Sequence, residues 1–138
     1  LIKTHQTLGF IAPSGRAKQI LNPINIQGEK LDEKDILVVF CGTNDVSRNE
    51  ANEAINIIKD TLEEHSNQNI ILLNIPHRYD LVQWSCVNEE VKRTNGILQE
   101  ISDQYNNVKL VNVHDADRKL HTRHGLHFNH KGKLWLAD

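Results

Sequence analysis

The chain has 138 residues, about one domain's worth, with 38% hydrophobic and 25% charged residues, on the polar side of globular but short of the disordered range. No apolar run approaches the 18 residues of a membrane span, and no charged-then-apolar signal segment opens the sequence. Sixteen basic against eighteen acidic residues leave no global positive field, so nucleic acid is not an expected partner. The two cysteines, Cys41 and Cys86, form no C-x-x-C pair or disulfide framework, and a reducing, cytoplasmic setting is the mild default. The chain holds no Met and starts at Leu1 inside ordinary sequence, so it reads as part of a longer protein. Five of the eight histidines (His114, His121, His124, His127 and His130) fall within 17 residues.

In chain order, Thr7 to Ala12 predicts a strand and Ser14 to Leu21 a short helix stopped by Asn22-Pro23. Asp35 to Cys41 is a nearly continuous apolar run ending at Gly42, the pattern of a strand covered on both faces. A helix follows in which Ala51, Ala54, Ile55, Ile58 and Leu62 recur at threes and fours, with Ser47 and Glu50 as a capping-box signature. Asn69 to Ile75 predicts the next strand, closed by Pro76, and Val87, Val91, Thr94, Leu98, Ile101 and Tyr105 the next helix. Val108 to Val113 predicts a third strand, and Asn129 caps a last helix from near His130. No repeat or linker divides residues 1–138, which form one domain. Alternating βα units predict a parallel sheet with helices on both sides, and ligands in such folds sit beyond the carboxyl ends of the strands.

Chemistry is therefore sought in the loops after the strands. Cys41-Gly-Thr-Asn-Asp-Val46 follows its strand without a spacer, which projects Asn44 and Asp45 over the sheet edge. An amide there can polarise a carbonyl in acyl transfer; a plain turn before a helix is the competing reading. His121, His124, His127 and His130 invite a metal, but Gly125 argues against the helix that would align them, and no H-E-x-x-H or clustered cysteine completes a site. A histidine just before a capped helix also suits a general base. Cys41 reads as a small buried hydrophobe. Pro76 to Asp80 lines a pocket or forms a plain loop, with Arg78 free to meet an anion or to pair with Asp80. The basic C-terminal stretch reads as a solvated rim.

Taken together on this scaffold, Gly42-Thr-Asn-Asp45, Pro13-Ser-Gly15 and Gly125-Leu-His-Phe-Asn129 resemble the loops of the SGNH, or GDSL-type, hydrolase superfamily, in its divergent animal form. The resemblance runs from about Phe10 to the end. It implies a three-layer α/β/α, flavodoxin-like parallel sheet lacking its first strand and helix, hence a domain incomplete at the N-terminus. It also implies hydrolysis of a small acyl or acetyl ester without cofactor or metal, with His127 as base and with Asn44 and the Gly15 N–H holding the oxyanion. Asp45 is expected to order the loop and cap the next helix. The nucleophilic Ser of the family has no counterpart in the chain, and His124 stands where the family has Asp, leaving Asp115 or Asp117 as substitutes. The alternative is an inactive SGNH-like binding or assembly module, of mobile-element origin.

Overall fold

The computed structural model describes residues 7–27 and 31–138. Three strands, β1 (Ile36–Phe40), β2 (Asn69–Leu73) and β3 (Val108–Val111), form a parallel sheet in sequence order. Ile36 pairs with Asn69 and Phe40 with Leu73; Ile70 pairs with Val108. The helices are α1 (Ala17–Ile20), α2 (Pro23–Gln27), α3 (Thr43–Ser47), α4 (Ala51–Glu64), α5 (Cys86–Asp103) and α6 (His130–Ala137), with a 3-10 turn at Arg118–Leu120. The class is α/β, the flavodoxin-like arrangement of a parallel sheet and α helices. Among the described residues no helix is long and apolar enough to cross a membrane.

The helical periodicity translates directly into burial. Ala51, Ala54, Ile55, Ile58 and Leu62 of α4 are all buried, as are Val91, Thr94, Leu98 and Ile101 of α5. Both helices cross over between neighbouring parallel strands, and the right-handed rule puts successive crossovers of this order on one face. They accordingly pack on each other and on Val39, Ile70 and Leu72. Removal of these side chains from water is the main stabilising term for the domain.

Four expectations are corrected. Thr7 to Ala12 forms no strand, and Leu8, Phe10 and Ile11 are exposed; a strand is held by its ladder, and no described strand runs beside these residues. β1 is covered on one face only: Val39 is buried, whereas Val38 is 57% exposed and Ile36 and Phe40 are also open. An all-apolar run conceals this, since composition does not record which face finds a partner. The helix expected from Ser14 begins at Ala17, because Ser14 sits at φ 58, in the left-handed region; Pro23 not only ends that helix but opens α2, where its missing N–H costs nothing. The Ser47–Glu50 capping box does not form. Ser47 ends α3 and its hydroxyl donates back to the Thr43 carbonyl at 2.9 Å, while α4 starts after Glu50 without a side-chain cap.

Buried asparagines hold the loops that leave the sheet. Asn74, after β2, accepts from the Val113 and His114 N–H groups at 2.8 and 3.1 Å and so fixes the chain leaving β3. Asn95 of α5 clamps both backbone groups of Ile75 at 2.8 Å. Asn88, fully buried on α5, accepts from the Arg78 N–H and donates to the Arg78 and Val82 carbonyls. Asn88→Ala leaves these backbone groups unpaired, and a loss of roughly 3 kcal/mol is expected, read as a fall of roughly 10 °C in Tm. An unchanged melting curve would mean that the loop does not depend on this clamp.

Candidate functional site

The loop after β1 turns sharply at Gly42, whose φ of 110 and 3.0 Å approach to the Ile75 side chain from an added Cβ both favour glycine. That turn starts α3 at Thr43 and presents Asn44 next to the Pro13–Arg16 segment. The Asn44 side-chain amide donates to the Gly15 carbonyl at 3.0 Å, across 29 residues of sequence. The two motifs predicted to act together are thus in direct contact. Gly15's own N–H donates to the Ala12 carbonyl at 2.9 Å, closing a turn.

Asp45 is buried, and its carboxylate accepts from the Ala17 N–H at 3.0 and 3.2 Å. It therefore orders the loop as expected, but the helix it caps is the preceding α1, not the following one. A tertiary contact 28 residues away is invisible to local capping rules. Arg16 adds a bond to Glu50 at 2.8 Å, partly exposed and worth little by itself. Burial raises the Asp45 carboxyl above its ordinary 3.8, against the lowering effect of the Ala17 N–H. The folded protein therefore holds the Asp45 proton more tightly than the unfolded chain. The stability this adds is complete below the unfolded value and is lost as pH rises through the raised one. Asp45→Asn keeps an acceptor and removes the charge, so urea unfolding is expected to show a flatter pH dependence just above 3.8. Asp45→Ala orphans the buried Ala17 N–H and is expected to cost about 1–3 kcal/mol at neutral pH.

Cys41, at the end of β1, is buried, and burial first, then Asp45, pushes its thiol up to about 12, an inert hydrophobe rather than a nucleophile.

The C-terminal histidines do not converge. His121 and Phe128 bridge as an antiparallel pair, and the Thr122 N–H donates to the His127 carbonyl at 2.8 Å, making a tight hairpin around Gly125. His121 is buried in it, with Nδ1 at 3.0 Å from the Asp117 carbonyl; His124, His127 and His130 are exposed. Among the described residues no three His, Cys, Asp or Glu side chains come together as metal ligands. Asn129 caps α6 as expected, accepting from the Gly132 N–H at 2.9 Å.

The hairpin docks on the loop after β2. The Tyr79 N–H donates to the Gly125 carbonyl at 3.1 Å, and the Tyr79 hydroxyl donates to the Ala116 carbonyl at 3.1 Å. This contact seats the hairpin that carries His127 against the Tyr79–Asp80 backbone. Arg78 grips Asp80 through two bonds of 2.7 and 2.6 Å and, with a smaller contribution from His127, holds its carboxyl below the ordinary range. Asp80 is paired with Arg78, one of the two roles that the sequence offers for that arginine. Of the two substitutes considered, Asp115 accepts from Asn112 at 2.6 Å and Asp117 pairs with Lys119 at 3.3 Å. No hydrogen bond joins His127 to Asn44, although both lie on loops beyond the carboxyl ends of the strands.

Fold and site together define an α/β domain built on a parallel sheet. No protein-family model matches the chain, and no curated protein matches it. It is similar to a solved structure from Streptococcus pneumonia, provisionally described as a platelet activating factor, with 23% identity and a TM-score of 0.69 over 90% of this chain. The chain spans 65% of the length of that structure, and the likeness is one of fold.

Proposed function

We infer that residues 1–138 belong to a serine ester hydrolase domain of SGNH type acting on small acyl or acetyl esters. The observation that carries this reading is the Asn44 amide seated on the Gly15 carbonyl. One amide hydrogen is spent there, and the second remains for an oxyanion forming in front of the sheet edge. The Gly15 N–H joins it only when the turn to Ala12 opens. His127 takes the proton of a serine supplied from outside these residues, and Asp80, on the loop where the hairpin docks, is the carboxylate assigned to it as charge partner. The fold shared with the pneumococcal structure supports the scaffold of this reading.

A second reading, an inactive SGNH-like binding or assembly module, is favoured by His124, an exposed imidazole where the resemblance calls for a carboxylate. A fluorophosphonate probe separates the two. The natural protein carrying this domain is expected to be labelled at a serine outside residues 1–138. A folded protein that stays unlabelled would leave the binding module as the function.

A further inference from the structure

The loops after β2 and β3 hold a feature that ester hydrolysis leaves unused. His77 and Tyr79 on one side, His114 and Asp115 on the other, and Lys92 of α5 line a broad-mouthed cavity of about 480 Å³. The rings of His77 and His114 meet edge to face at 5.6 Å, and His77 packs on Tyr79 at 4.6 Å. Behind them His121 packs on Tyr79 at 4.9 Å. The wall is an ordered aromatic ladder rather than a loose loop. The buried Nδ1 of His114 has no hydrogen-bond partner.

Two imidazoles, one lysine and one carboxylate line this cavity. His77 is held below its ordinary value by burial first, then by His114, Lys92 and His121, all of them cationic when protonated. Lys92 reaches Glu89 at 3.2 Å, but this is an exposed surface pair that holds the ammonium weakly. Asp115 is the only carboxylate in the lining, and Asn112 already engages it at 2.6 Å. Nitrogen-bearing side chains from two loops and a helix therefore face one open space, with the Asn112-held Asp115 as the carboxylate beside them.

We propose that this cavity is a binding site for a small phosphate-class oxyanion, held by His77, His114 and Lys92. A tetrahedral group with three or more free oxygens meets donors approaching from three elements, whereas a planar carboxylate offers two oxygens. Bound phosphate also offsets the mutual repulsion of the imidazoles, so binding takes up protons and strengthens as pH falls. The proposal does not depend on the hydrolase reading.

The test is NMR of the histidine rings in the 138-residue protein between about pH 5 and 8, at constant ionic strength. Inorganic phosphate is expected to shift the His77 and His114 rings saturably and to raise the His77 midpoint, by about one pH unit if the protonated form binds tenfold tighter. His65, at the end of α4 just before β2, is expected not to respond. Phenyl phosphate binding more tightly than inorganic phosphate would identify an organic phosphate as the ligand; equal affinity would identify the free ion. Lys92→Ala, an exposed position whose loss spares the core, is expected to weaken phosphate about tenfold. Phosphate shifts no larger than those of chloride, equal shifts with acetate, or parental affinity in Lys92→Ala would each overturn the proposal.

Discussion

Hydrolysis of an activated acetyl ester is expected to fall by roughly 10⁴- to 10⁶-fold in the His127→Ala variant of a protein that joins these residues to a nucleophilic serine. A hydroxyl is a poor nucleophile unless a base removes its proton as the new bond forms, and no other exposed group of the hairpin is built for that task. His124 and His130 are also exposed, but neither holds the position in Gly125-Leu-His-Phe-Asn129 that the resemblance assigns to the base. The loss is expected in kcat with KM little changed, because a base acts on the reacting proton and not on the bound ester. His124→Asp supplies a carboxylate three residues before the base and is expected to raise kcat. A His127→Ala variant with parental rates would remove this residue from the mechanism, whatever becomes of the oxyanion site.

Gly125→Ala is expected to lower stability by about 3 kcal/mol or more and to detach the hairpin that carries His127. Two independent effects add at this position. Its φ of 81 lies in the left-handed region, where an L side chain costs about 1–2 kcal/mol. The added Cβ would also sit 2.7 Å from the Tyr79 carbonyl carbon and 2.8 Å from the Asp80 nitrogen, backbone atoms that cannot swing aside as a side-chain tip does. The bond from the Tyr79 N–H to the Gly125 carbonyl is then expected to open. Hydrogen exchange at the Tyr79 amide reads this directly: faster exchange in the variant confirms the dock, and unchanged protection would show that the hairpin seats without it. Any esterase activity is expected to fall with the dock, since the dock holds the hairpin that carries His127.

The contrast between α4 and β1 shows where sequence reading succeeds. In α4 the spacing of Ala51, Ala54, Ile55, Ile58 and Leu62 specifies a face, because a helix turns its residues at a fixed angle whatever surrounds it. In β1 the alternation is also fixed, but every residue is apolar, and only the absence of cover over Ile36, Val38 and Phe40 distinguishes the faces. The same limit governs the site. Asn44 follows a strand as predicted, whereas Gly15 follows a segment that forms none and is held in place by side-chain bonds from Asn44 and Asp45 to its surroundings. Pro76 to Asp80 was readable as a pocket wall or a plain loop, but its meeting with His114, 37 residues after His77, was not, since it depends on how the loops after β2 and β3 pack.

By itself the sequence determined the alternation of strands and helices, the buried faces of α4 and α5, the Asn129 cap and the loops in which chemistry belongs. These follow from backbone periodicity and local hydrogen bonding, which act over a few residues. Only the tertiary structure decided that Asp45 caps α1, that Thr7 to Ala12 lacks a ladder, that the clustered histidines diverge, and that their hairpin docks on Tyr79. Each of those depends on where a distant backbone group lies, and the packing of the sheet and helices sets that position.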